Sequence, residues 1–127
     1  MKVFIIAGEA SGDKLGAELM KGLQHLAGKQ VQFAGLGGSR MIAQGLTSLF
    51  PMDQISIMGI GEILMQYQAL KRRIQQTVEA VLQFQPDVLI TIDLPEFNLR
   101  VAQKVKARSS IRTVHYVAPT VWAWRPK

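Results

Sequence analysis

Apolar positions along the chain follow two rhythms. Two short runs are almost unbroken, Lys2–Ala7 (KVFIIA) and Asp87–Ile92 (DVLITI), and two more mixed segments, Val31–Gly35 and Ile111–Val117, read as a second and a last strand. Continuous apolar runs bounded by turn residues read as strands buried on both faces. Between them the spacing becomes helical. Leu15, Leu19, Leu23 and Leu26 recur at intervals of 4, 4 and 3. This predicts an amphipathic helix with Ser11 as a possible N-cap and an end near Gly28. Ile63, Tyr67, Leu70, Ile74, Val78 and Val81 recur at 4, 3, 4, 4 and 3. They predict the longest helix, Gly61 to Phe84, stopped by Pro86. A short helix is expected over Arg40–Gln44. Another is expected from about Phe97 to Arg108, with Leu94-Pro95 delaying its start. Residues 46–60 read as irregular, with a short strand near Ser48-Leu49-Phe50.

Strands alternating with helices predict a Rossmann-like parallel sheet with helices on both faces. A length of 127 residues suits one domain. Ligands in such sheets bind beyond the carboxyl ends of the strands. That directs attention to Gly8–Asp13 and Asp93–Asn98, the loops after two of the predicted strands. The chain shows no repeat, linker or low-complexity segment.

Composition narrows the chemistry. There is no cysteine, so disulfides, thiolate metal sites and a cysteine nucleophile are excluded. The two histidines form no HxH or HxxxH pair, so no metal site is expected. His115 sits in an apolar strand and reads as a core histidine; His25 has no assigned role. No apolar run reaches the length of a membrane span. The N-terminal run is too short for a signal peptide and meets Glu9 at once, so a cytoplasmic chain is expected. Residues 1–96 carry eight Lys/Arg and nine Asp/Glu, whereas residues 97–127 carry seven Lys/Arg and no acid. The basic excess therefore lies in the last quarter, and it suits phosphate groups or anionic lipid as well as plain solvation.

The first loop lacks both the G-x-G-x-x-G fingerprint and the P-loop pattern, and Glu9 and Asp13 would repel a pyrophosphate. Its small residues admit a hydroxylated ligand to the backbone, with the carboxylates accepting from its hydroxyls. A tight turn and helix cap is the alternative reading. Asp93 follows a buried strand at the ligand-binding edge, where a carboxylate can act as a general base. Asn98 could supply a donor or acceptor beside it. The other reading is that Asp93 or Glu96 caps the next helix. Arg100, Lys104 and Arg108 form one basic ridge at i, i+4 and i+8. Met58–Met65 is apolar and leads toward Lys71-Arg72-Arg73, as in an interfacial membrane contact, although Ile63, Tyr67 and Leu70 could equally face the core. Trp122 and Trp124 could pack on the sheet edge or line a cleft.

AGEASGD (Ala7–Asp13), MGI (Met58–Ile60), DLPEFN (Asp93–Asn98) and HYVAPTVWAWR (His115–Arg125) occur in this order along nearly the whole chain. Together they closely resemble the N-terminal part of the lipid-A-disaccharide synthase family, inverting glycosyltransferases of the GT-B type. The resemblance implies transfer of diacylglucosamine from UDP-2,3-diacylglucosamine to 2,3-diacylglucosamine 1-phosphate (lipid X). The products are a β-1,6-linked lipid A disaccharide 1-phosphate and UDP. It implies no cofactor, no metal and no nucleic-acid partner.

By the same resemblance Asp93 is the expected base. Gly8, Glu9, Ser11, Gly12, Asn98, Trp124 and Arg125 are expected to bind substrate, with capping open for Glu9, Ser11 and Asn98. Because both substrates are acylated, Met58, Ile60, Ile63, Leu64 and Tyr67 are expected to meet acyl chains or the cytoplasmic face of the inner membrane. Family chains are about three times as long, as two Rossmann-like domains require. The expectation is therefore that residues 1–127 are the acceptor-side domain, that the UDP-sugar-binding domain is absent, and that this chain alone is inactive. The sheet would then lack a final helix and expose apolar surface. A non-catalytic module binding anionic membranes is the alternative function. A nucleotide- or nucleic-acid-binding domain is weaker, lacking both the glycine fingerprint and interleaved aromatics.

Overall fold

A computed structural model describes residues 1–56 and 63–117. Four parallel strands, β1 (Lys2–Ala7), β2 (Gln32–Leu36), β3 (Val88–Ile92) and β4 (Arg112–Tyr116), form one sheet in the order β2-β1-β3-β4. The helices are α1 (Ala10–Ala27), α2 (Ser39–Ala43), α3 (Asp53–Ser56), α4 (Ile63–Phe84) and α5 (Pro95–Arg108). The expected Rossmann-like architecture is present.

The pleat of β1 divides the core in two. Val3, Ile5 and Ala7 pack with Ile90, Ile92 and the α1 residues Ala17 and Met20. Phe4 and Ile6 point to the other side, against Ile74, Val78 and Val81 of α4 and Phe97, Val101 and Val105 of α5. Burying each such side chain contributes about 1.5–3 kcal/mol. Parallel strands need this cover on both faces, which is why their sequences are continuously apolar.

At β4 the cover thins. The pairing of Ile90 with Val114 and Ile92 with Tyr116 puts both β4 residues on the α1 side. There Val114 and Tyr116 are 45% and 44% exposed. The expected uncovered apolar surface is found here.

Several expectations need correction. The buried face of α1 is Gly12, Asp13, Gly16, Ala17 and Met20. The leucines flank it, and Leu26 is exposed. Ser11 is not the N-cap: that position is Glu9, and Ser11 lies in the first turn. Helix α5 starts at Pro95, because proline suits the first helical position, where no intrahelical N–H bond is needed. Asp87 precedes β3 and accepts from the Lys2 backbone N–H at 2.8 Å. Ser48 makes only an isolated bridge to Gly35. Within the predicted apolar face of α4, Ile74, Val78 and Val81 are buried, whereas Tyr67 is exposed.

Candidate active site

From β1 the chain crosses to β2 on one side, then returns to β3 and β4 on the other. The direction of winding reverses between β1 and β3. In open parallel sheets this switch point opens a crevice at the carboxyl ends, where ligands bind. Ala7 pairs with Ile92 across it. The next residues outward are Gly8-Glu9 on one side and Asp93-Leu94 on the other.

Asp93 and Leu94 both adopt left-handed backbone conformations, with φ of 52° and 48°. Two consecutive non-glycine residues in this region are costly unless the surroundings hold them. Three contacts do so. The Asp93 N–H donates to the Tyr116 carbonyl at 2.8 Å. The Asn98 amide donates to the carbonyls of Asp93 and Ile92, at 2.8 and 3.2 Å. The Leu94 side chain lies over Gly8, where an added Cβ would fall 2.3 Å from Leu94 Cδ2. Asp93 is thereby fixed, half-buried, on a turn that projects from the middle of the sheet.

The other expected site residues divide between rim and interior. Glu9 and Ser11 are exposed at the first turn of α1. The Glu9 side chain makes no capping hydrogen bond. Gly8 and Gly12 are buried; an added Cβ at Gly12 would sit 3.3 Å from Ala7 Cβ and 3.4 Å from Ile92 Cγ2. Its small size lets α1 lie close on β1 and β3. Asn98 is fully buried, with its amide hydrogens directed to backbone carbonyls and its Oδ1 without a hydrogen-bond partner among the described residues. Removing that amide should be costly: Asn98→Ala is expected to lower stability by about 1–3 kcal/mol, read as a shift in the urea midpoint. An unchanged midpoint would remove Asn98 from the clamp.

Asp13 turns away from the crevice. Its carboxylate accepts from the backbone N–H groups of Gly38, Arg40 and Met41 at 2.9–3.0 Å, tying the β1–α1 turn to the start of α2. Of the two roles open to the carboxylates of this loop, ligand contact or a structural turn, the geometry makes Asp13 the anchor of a neighbouring loop. His115 shares a 2.7 Å hydrogen bond with Thr91, as a satisfied histidine should, but it is half-buried on β4 and not in the core. Trp124, Arg125, Met58 and Ile60 lie outside the described residues, as do the side chains of Ile63 and Leu64; Tyr67 is 47% exposed. A separate cleft of about 790 Å³ opens between Gly37-Gly38 and the segment from Leu46 to Asp53.

The fold and this rim define a doubly wound α/β domain with a carboxylate presented at its switch point. A family model described as Lipid-A-disaccharide synthetase matches residues 3–127. The chain belongs to that family. It is 61% identical over 126 residues to a lipid-A-disaccharide synthase of Ruegeria pomeroyi, covering 99% of this chain and 31% of the relative. It is 52% identical to that of Rhodopseudomonas palustris, covering 98% of this chain and 32% of the relative. A third, from Rhodospirillum centenum, is 49% identical, covering 98% and 31%. The chain thus spans about a third of the length of these curated relatives.

Proposed function

We propose that residues 1–127 form the acceptor-side domain of a lipid-A-disaccharide synthase, with the UDP-sugar site on a C-terminal domain beyond this chain. The position of Asp93, clamped at the switch point, carries this reading. In the proposed step the Asp93 carboxylate takes the proton of the lipid X 6-hydroxyl. The oxygen attacks the anomeric carbon of UDP-2,3-diacylglucosamine from the face opposite UDP. The bond from that carbon to the phosphate oxygen breaks, and UDP leaves with its electron pair. General-base assistance of this kind contributes about 10²–10⁴-fold. Glu9 and Ser11 are exposed on the same rim, and they are the proposed partners of sugar hydroxyls. Trp124 and Arg125 are proposed to complete the substrate surface.

Both substrates carry acyl chains, so the domain must work at a membrane surface, proposed to be the cytoplasmic face of the inner membrane. Among the described residues no helix is long and apolar enough to cross a membrane. The proposed contact is the segment Met58, Ile60, Ile63, Leu64 and Tyr67, of which Tyr67 is exposed.

The test is a chimera joining residues 1–127 to the portion of the Ruegeria pomeroyi relative outside its matched region. With UDP-2,3-diacylglucosamine and lipid X it is expected to form disaccharide 1-phosphate, detected by mass spectrometry, while the 127-residue chain alone forms none. A folded chimera without product, beside an active parent, would overturn the reading. Product from the chain alone would overturn the assignment of the donor site to another domain.

A further inference from the structure

A second feature lies between the two helices that cover one face of the sheet. Helices α4 and α5 pack side by side, and an open groove of about 470 Å³ runs between them, lined by Tyr67, Lys71, Arg72, Ile74, Arg100 and Lys104 among others. Four of these residues are cations drawn from two helices. No carboxylate lines the groove among the described residues; Glu96 approaches from one side, bonded to Arg100 at 3.5 Å.

The neighbouring basic residues are otherwise engaged. Arg73 bonds to Gln54 and lies over the Phe50 ring at 4.4 Å. Arg108 pairs with Glu79 at 2.6 Å. Lys71, Arg72 and Lys104 have no ion pair among the described residues. Their common site therefore concentrates positive charge, offset among the described residues by Glu96 at Arg100, and such a concavity draws anions.

Its surroundings are amphipathic. Lys71 lies over the Tyr67 ring at 5.6 Å, and Tyr67, which lines the groove, is 47% exposed. A small soluble anion gains nothing from apolar groups near the cations, whereas a lipid does: its phosphate meets the charges and its upper acyl region the apolar side chains. Arginine and lysine also match phosphate oxygens through charge-assisted hydrogen bonds.

We propose that the α4–α5 groove is a phosphate site for a membrane lipid headgroup, with Lys71, Arg100 and Lys104 as its principal contacts. This deepens the membrane-surface reading by giving it a defined phosphate site, and it rests on that reading for the source of the phosphate. Its test needs no transferase activity, so it can fail while the proposed reaction stands, or the reverse.

The 127-residue chain is sedimented with vesicles of phosphatidylcholine alone and with vesicles containing roughly one-fifth phosphatidic acid. Binding is expected only to the second. Each cation near an anionic surface strengthens binding about fivefold, so Lys71→Gln/Arg100→Gln/Lys104→Gln should weaken it on the order of a hundredfold. A control triple on other exposed positions, Lys14→Gln/Arg40→Gln/Arg112→Gln, changes net charge equally and should weaken it less than about threefold. All six side chains are exposed, so both variants are expected to fold, with circular dichroism and urea midpoints as the check. Equal weakening by the two triples would mean diffuse charge and overturn the groove. Absence of vesicle binding would overturn the proposal too. So would saturable binding of inorganic phosphate, lost in the groove variant, without vesicle binding: that outcome makes the groove a site for soluble phosphate.

Discussion

Replacing Asp93 by asparagine in the active chimera is expected to lower turnover by about 10²–10⁴-fold. The fold is expected to be kept, since asparagine has the same size and also tolerates the left-handed conformation. The two expectations separate because of how the turn is held. The Asp93 N–H is fixed by the Tyr116 carbonyl and its carbonyl by the Asn98 amide, and asparagine keeps both of these backbone groups. Asparagine keeps the volume of the side chain and loses the oxygen able to take a proton from the acceptor hydroxyl. Because that proton moves in the transition state, kcat and kcat/KM should fall together, with the KM for lipid X little changed. Initial rates against lipid X concentration give both parameters. Turnover within threefold of the parent would remove Asp93 from the chemistry. A raised KM at unchanged kcat would recast it as a binding group.

The two central strands were legible in the sequence because β1 and β3 are buried on both faces, and continuous apolar runs have few other uses in a domain of this size. KVFIIA coincides with β1, and DVLITI overruns β3 only by Asp87, whose carboxylate bonds to the Lys2 backbone. The alternation of elements pointed to a parallel sheet and its ligand-binding edge, and with it to Asp93; the strand order that sets the switch point between β1 and β3 was not legible. The buried face of α1 was less legible. Four leucines at helical spacing form the stronger pattern, but the helix meets the sheet through Gly12, Ala17 and Met20, and Met41 of α2 through Gly16. Small residues allow that close approach, and a periodicity weighted by side-chain size passes over them. The left-handed pair Asp93-Leu94 was not legible either. Neither residue is glycine, and the contacts that hold the turn come from Tyr116, Asn98 and Gly8, which are distant in sequence or bonded through backbone atoms. The signal for Asn98 was an amide one turn into α5, on the face it shares with Phe97 and Val101; read as a buried position, it would have pointed inward to the turn.

Asp13 carries the largest expected effect on folding. Its two oxygens take three backbone N–H groups at the start of α2, and the residue is 4% exposed. The first turn of a helix has no internal acceptors for these donors, and at this helix no side-chain cap comes from its own N-cap, Gly38. A carboxylate from another helix supplies the missing acceptors. Asp13→Ala would leave those donors without their acceptor and open a small cavity between α1 and α2. The expected loss is about 2–5 kcal/mol, a large fraction of the roughly 5–15 kcal/mol typical of a domain. Asp13→Asn keeps one acceptor oxygen and sets an NH₂ against an N–H, so it should fall between the parent and the alanine variant. Urea denaturation of the three proteins gives the order directly. Turnover offers a contrasting readout. The carboxylate faces the Gly38–Met41 segment and not the crevice, so at a temperature well below unfolding the chimera bearing Asp13→Asn should lose far less rate than the one bearing Asp93→Asn. A stable Asp13→Asn protein with turnover as low as that of Asp93→Asn would instead make the first-loop carboxylate part of the chemistry, the role its sequence motif first offered.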